Sequence, residues 1–395
     1  TVIRIPADHL NVLDYGVLAD GHSANPTDNA AAFEDAIDDA IDQELPLYIP
    51  AGVYGYWSML SMDSIDVIGA GATTVMASGN QTSSVLQITG NAPSLVGINM
   101  QGVGTQRFSY PQANGIWAYQ ATDFIISACQ VHGPGGAGIF IHNNNVDGIV
   151  CGNFVDSSWA DAIHHTGTTS YIQTIANQVH NPGDDQIAVV SYGSSSICHH
   201  IEAFCNDLHK QTWGRGMTVV GGYTITYARN EIEKPISAAV YIASESSYNT
   251  DEWYDIVIAE NVIRDAVWAN GDSDPETSAS HPAIMLYGRT DFPGCDAIIN
   301  NNRLYIAYNR GVVIGSQTYD IILKDNYFQG ITSTGIYANG TTDAQILDNT
   351  FNEIGSYAMF IDNACQGNML IAGNQLTNIN ANNTTTYIDV INVRS

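Results

Sequence analysis

The residues best suited to chemistry lie in a short stretch of the middle of the chain. Asp161 precedes Ala162-Ile163-His164-His165, Asp184 and Asp185 follow Gly183 and precede Gln186-Ile187, and Arg215 stands between Gly214 and Gly216 ahead of Met217. Aligned on Ile163, Ile187 and Met217, the residues Asp161, Asp185 and Arg215 fall at one position of three successive repeats, with Asp184 alongside. Three carboxylates stacked in this way repel one another, so at least one holds its proton, while the guanidinium favours ionisation of the others. That splitting supplies an acid and a base in one place. The plainer explanation is a set of turn residues binding backbone or a structural cation, because Asp is common at turns. The acids occur together in two adjacent repeats and almost nowhere else in that column, which favours the chemical explanation.

Other candidates surround them. Trp159 and Trp213 flank the acids, and strand alternation points His164 outward beside them and His165 inward as a core histidine. Residues 191–200, 244–254 and 267–282 lengthen the repeats that follow. Long loops on a rigid scaffold commonly carry function. These bring Tyr192, His199, His200, Glu245, Tyr248, Trp253, Tyr254, Trp268, Asp272 and Asp274. Aromatic faces beside carboxylates suit sugar rings. A single ring is explained as well by packing under a loop, so the cluster carries the reading. The expected catalytic residues are Asp161, Asp184 and Asp185. The expected substrate-binding residues are Arg215, His164, Trp159, Trp213, Tyr192, Glu245, Tyr248 and Trp253.

These residues need a scaffold, and an internal repeat supplies it. An Asn-x-apolar triplet begins at Asn153, Asn177, Asn206, Asn230, Asn261, Asn302, Asn326, Asn349 and Asn374, at spacings of 24, 29, 24, 31, 41, 24, 23 and 25 residues. Cys129 occupies the same position one repeat earlier. A second column in step carries a small or polar pair ahead of alternating apolar residues, as in Ala137-Gly138-Ile139 and Thr334-Gly335-Ile336. Short strands with period-two alternation and polar corners every 24 or so residues describe an all-β, right-handed, single-stranded parallel β-helix. Equivalent residues of such a solenoid stack about 4.8 Å apart. The pattern predicts a capping segment over 1–60 and a β-helix of about 10–12 coils over 61–395, one domain overall. In the cap, Thr27 and Asp28 open a helix whose Phe33, Ile37 and Ile41 repeat at i, i+4 and i+8, followed by a strand from Leu47.

Composition narrows the partners. Twelve Lys and Arg against 40 Asp and Glu give a net charge of −28 over 395 residues, which repels phosphate backbones and anionic membranes. No apolar run reaches the roughly 18 residues of a membrane span. Six cysteines without a C-x-x-C pair argue against zinc and fit buried thiols or a single disulfide. The chain opens on Thr1, as a processed or trimmed product would.

The segment from Asn11-Val12-Leu13-Asp14-Tyr15-Gly16 to Ile49-Pro50-Ala51-Gly52-Val53-Tyr54 resembles the N-terminal signature of pectate-lyase-like β-helix proteins, which include phage tailspike depolymerases and alginate epimerases. Further on, Asp161-Ala162, Gly183-Asp184-Asp185 and Gly214-Arg215-Gly216 are similar to the Asn-Thr-Asp, Gly-Asp-Asp and Gly-His-Gly motifs of the polygalacturonase family. Here Arg replaces His, and the basic pair that grips galacturonate has no counterpart near Ala239-Val240-Tyr241. The resemblance implies an inverting endo-glycoside hydrolase of an extracellular or capsular polysaccharide, secreted or virion-associated and without a cofactor. Asp185 would be the general acid, with Asp161 and Asp184 holding the water. It also implies a homotrimer, as in many tailspikes. Two other classes stay open: a lyase or C5-epimerase of uronic acid polymers, in which Arg215, His164 and acids holding Ca²⁺ serve, and a noncatalytic glycan-binding solenoid.

Overall fold

The computed structural model describes residues 3–193, 197–268 and 281–378. The fold is an all-β, right-handed parallel β-helix, and the chain divides into two compact units, Thr1–Ile187 and Ala188–Ser395.

The first unit begins with the cap. The helix Ala30–Gln43 buries Phe33, Ala36, Ile37 and Ala40, and Phe33 meets Tyr54 edge-on at 6.1 Å. The buried stripe thus runs i, i+3, i+4, i+7, and the expected Ile41 is one of its exposed neighbours. The helix also starts later than Thr27 or Asp28. Asn29 is its N-cap, with its side chain spent on the backbone of Leu18 and Gly55. Asp28 instead accepts from the amides of Ala30 and Trp57 and so ties the helix to the first coil.

Coils follow, each built of short parallel strands. Val131, Val155 and Val179 are register partners in the strands Gln130–His132, Phe154–Asp156 and Gln178–His180. Ile139 pairs with Ile163 in the strands Ile139–His142 and Ile163–Thr166. All these apolar side chains are fully buried. Cys129 does occupy the asparagine column: its amide donates to Asn153 Oδ1 at 2.9 Å, and the Asn153 amide to Asn177 Oδ1 at 3.1 Å.

The second unit repeats the scheme over more coils. Asn206, Asn230, Asn261, Asn302, Asn326, Asn349 and Asn374 form a buried ladder. Each Oδ1 from Asn230 onward accepts from the backbone and side-chain amides of the preceding rung. Side-chain amides of these asparagines also donate to carbonyls one coil back, as from Asn302 to Ile258 at 2.8 Å. The residue before each rung has positive φ: Cys205, Arg229, Glu260, Asn301, Asp325, Asp348 and Gly373. The sharp corner exposes backbone groups inside the coil, and the asparagine amides satisfy them. All six cysteines are free thiols, and no helix among the described residues is long and apolar enough to cross a membrane.

Candidate active site

Asp161 lies between the strands Phe154–Asp156 and Ile163–Thr166 of the first unit. The Ser158 hydroxyl reaches the carbonyls of Ala160 and Asp161 at 3.0 and 3.1 Å and holds the turn. One coil later Gly183 runs against Trp159, where a Cβ would come within 2.4 Å of the Trp159 carbonyl oxygen. Glycine is therefore needed directly before the acid pair. The Asp185 amide donates to Asp161 Oδ1 at 3.0 Å, and the Ala162 amide to the Asp185 carbonyl at 2.9 Å. The result is a buried cluster in which one carboxylate oxygen from each of Asp161, Asp184 and Asp185 lies within 4.8 Å of the others.

Two basic side chains stand on this cluster. His164 Nδ1 pairs with Asp161 Oδ2, and Arg107 Nη1 donates to Asp184 Oδ2 at 2.5 Å. Burial alone pushes the Asp161 pKa up. The His164 charge and hydrogen bond, then Arg107 and the Asp185 amide, outweigh it and hold the carboxyl below its ordinary 3.8. His164 is buried, and its Nε2 has no hydrogen-bond partner among the described residues. His165 is fully buried with its Nε2 2.9 Å from Thr174 Oγ1. Trp159 is 40% exposed and donates from Nε1 to the Gly104 carbonyl at 2.9 Å. Three carboxylates so arranged suit acid–base work, and they are equally a donor set for a hard divalent cation.

Arg107 was not legible as a site residue. Residues 102–115 connect the strands Asn99–Gln101 and Ile116–Thr122, a join that residues 133–138 make one coil later. This longer loop lies on the next coil through Gly104 N to Gly133 O and Phe108 N to Gly135 O, and there Arg107 meets Asp184. The extra length is visible in the sequence only after the repeat is extended upstream of Cys129.

In the second unit, Arg215 and Glu245 come together. Arg215 Nη2 is 3.2 Å from Glu245 Oε1, and its guanidinium lies 4.2 Å over the Tyr241 ring. The Tyr241 hydroxyl bonds Glu245 Oε1 at 2.7 Å and the Tyr287 hydroxyl at 2.6 Å. Burial, then Tyr287 and Glu245, push the Tyr241 pKa far up, so it stays a neutral phenol. His281 bonds Ser237, and its pKa is lowered by burial and by Arg215. Tyr192 and Tyr248 meet edge-on at 6.5 Å and are exposed, as is Trp213.

Trp253 departs from expectation. It is fully buried, and its Nε1 donates to the Tyr287 carbonyl at 2.9 Å. Its ring fills the space left by Gly294, where a Cβ would lie 2.0 Å away. It is a core residue and offers no face to a sugar. His199 stacks on Tyr223 at 4.8 Å, as does Tyr254 from the other side. Trp268 meets Tyr308 at 5.3 Å. Asp272 and Asp274 lie outside the described residues.

No family model and no curated protein matches the chain. Solved structures do. The catalytic unit of a GH87 α-1,3-glucanase from Streptomyces thermodiastaticus is similar at 18% identity and a TM-score of 0.75, over 95% of this chain and 70% of that one. A GH87 α-1,3-glucanase catalytic domain, in complexes of single Asp-to-Ala variants with nigerose and tetrasaccharides, is similar at 16–17% identity and TM-score 0.76, with the same coverage. PfbA, a surface adhesin of Streptococcus pneumoniae, is similar at 13% identity and TM-score 0.70, over 90% of this chain and 93% of that one. At these identities the likeness is one of fold.

Proposed function

We propose that the protein is an endo-acting, inverting glycoside hydrolase that depolymerises an extracellular polysaccharide of the α-1,3-glucan kind. The observation that carries this reading is the buried Asp161–Asp184–Asp185 cluster with His164 and Arg107 on two of its members. A second observation supports it. The aspartates replaced in the α-1,3-glucanase variants are 23 positions and 1 position apart, as Asp161, Asp184 and Asp185 are here.

The electrostatics divide the labour. His164 and Arg107 lower the Asp161 pKa, Arg107 pairs with Asp184, and two anions within 4.8 Å would help a third carboxyl keep its proton. In this reading Asp185 is the general acid that protonates the glycosidic oxygen. Asp161 and Asp184 clasp a water between them, take its proton and direct it to the anomeric carbon. Inverting pairs usually stand about 6.5–9.5 Å apart to admit the water between acid and base. The carboxylate oxygens here lie within 4.8 Å of one another, so the anomer formed first is the deciding readout. Arg215, kept in place by Glu245 and Tyr241, binds sugar hydroxyls in the second unit.

The test is mass spectrometry of products from α-1,3-glucan and a panel of capsular and plant polysaccharides, with proton NMR of the first anomer formed. Fragments should carry one added water and appear with inverted configuration, and Asp185→Asn should slow them roughly 10²–10⁴-fold. A retained anomer would make one of the anions a nucleophile instead. A lyase that uses Ca²⁺ is the second reading, favoured by the fit of the three carboxylates to a cation. It predicts unsaturated fragments without added water and loss of activity in EDTA. No product from any substrate would leave a binding solenoid.

A further inference from the structure

The first unit carries a row of rings that the acid cluster does not use. Trp117 pairs in register with Phe140, and Phe140 with His164, on the strands Ile116–Thr122, Ile139–His142 and Ile163–Thr166. Tyr119 and His142 pair alongside. The rings touch throughout: Trp117–Tyr119 at 4.9 Å, Trp117–His142 at 6.5 Å, Phe140–His142 stacked at 5.0 Å and Phe140–His164 edge-on at 5.5 Å. Core positions on these strands are already filled by Ile116, Ala118, Ile139 and Ile141. The rings therefore lie on the outer side of these strands, Trp117 and His164 buried and Tyr119, Phe140 and His142 half-buried, and the row ends at His164, which is bonded to Asp161.

Three nitrogens in this row, Trp117 Nε1, His142 Nδ1 and His164 Nε2, are buried and have no hydrogen-bond partner among the described residues. Native folds seldom leave such groups unmade, and orphans grouped on neighbouring side chains ask for a common partner. Aromatic faces with ring N–H groups at their edges fit one chemistry well, a sugar ring with apolar C–H faces and equatorial hydroxyls.

We propose that Trp117, Tyr119, Phe140 and His142, continued by His164, form a binding platform for uncharged sugar units of the polymer, leading into the acid cluster. The proposal takes its place beside Asp161 from the hydrolase reading and adds the part of the substrate it grips. Two steps between parallel strands span about 10 Å, room for a disaccharide. None of the four platform residues carries a fixed charge, and burial together with the His164 charge lowers the His142 pKa, so His142 is neutral near pH 7. Over Trp117, Tyr119, Phe140 and His142 a uronate carboxylate would meet no fixed cation, whereas a neutral hexose needs none.

Calorimetry in an Asp185→Asn chain, in which turnover is slow enough to read binding, tests this. The probes are a tetrasaccharide of α-1,3-linked glucose and tetragalacturonate. The glucose probe should bind and the uronate should not. Trp117→Phe keeps an aromatic face but removes the N–H together with the pyrrole part of the indole, so it should weaken binding roughly 3- to 10-fold. Phe140→Ala should weaken it about 10-fold, and in chains that retain Asp185 both should raise KM more than they lower kcat. Unchanged affinity in Trp117→Phe and Phe140→Ala, preference for the uronate, or no heat with either probe would overturn the platform. Trp117-dependent binding in a native chain that cuts nothing would instead sink the hydrolase reading and leave the platform standing. Thermal melts of each variant separate lost contact from lost fold.

Discussion

At the scale of residues, the chemistry turns on which carboxyl of a crowded trio keeps a proton. Asp161 shows the balance most directly. Burial works against its charge, yet His164 and Arg107 beside it prevail and its pKa is lowered. A base held below its ordinary pKa works from neutral pH down into the acid range, and its rate contribution disappears as pH falls through that lowered value. Arg107 is one of the cations responsible and is half exposed, so its influence is open to test without emptying the core. Arg107→Met should shift the acidic limb of the kcat/KM profile to higher pH and lower the plateau roughly 10-fold, with Arg107→Lys restoring part of both. An unmoved limb would mean that Arg107 merely fastens its loop. The three acids were legible in the sequence because they share a column with Ile163 and Ile187. Arg107 was not, because its contact with Asp184 bridges 77 residues from a loop that belongs to no column. Trp117, Phe140 and His142 were hidden for a different reason, since apolar and aromatic residues alternating along a strand look the same whether the outer face is bare or occupied.

At the scale of elements, the asparagine ladder is what keeps the coils in register. Strand pairing alone would tolerate a slip, but a buried amide has one place where both its donor and its acceptor are met. Asn302 shows the cost of losing one rung. It accepts from the Asn261 backbone and side chain and donates to Ile258 O and Asn326 Oδ1. Asn302→Ala strands those buried partners and should cost about 2–4 kcal/mol, read as a fall in Tm by differential scanning calorimetry. Asn302→Asp keeps the acceptor, loses the donors and buries a carboxylate, so it should melt no higher than Asn302→Ala. A wild-type Tm for either would remove the ladder from the account of stability. The ladder was plain in the sequence, down to Cys129 standing in for asparagine. The exact face of the capping helix was not, because alanines at 36 and 40 carry no apolar signal strong enough to outweigh Ile41.

At the scale of the molecule, the net charge of −28 is set against a fold held by neutral amides and apolar ladders. Among the described residues few charged contacts offset the self-repulsion, and these are short-range and often exposed, as with Arg264–Glu231 and Lys324–Asp325. Raising salt from about 10 mM to about 150 mM shortens the Debye length from roughly 30 to 8 Å. Tm should therefore rise by a few degrees over that range, and a fall would mean that ion pairs contribute more than repulsion costs. The repeat announced this architecture early. What the repeat could not announce was which of its decorations face a substrate, since Trp253 sits in the same kind of insertion as Tyr248 yet is fully buried.

The ladder also tells how such a chain can change through descent. Asn206 and Asn230 are 24 residues apart, Asn230 and Asn261 31, and Asn261 and Asn302 41, yet the amide contacts that join each pair are all 2.9–3.0 Å long. The frame does not register how much polypeptide is spent between its rungs. Insertions and deletions in those intervals are thus nearly silent to the scaffold while they rewrite the surface it displays. Lineages built on this plan can drift to new glycans by trading loops, with the rungs inherited unaltered and overall sequence likeness worn down to the level at which only the shape is still recognisable.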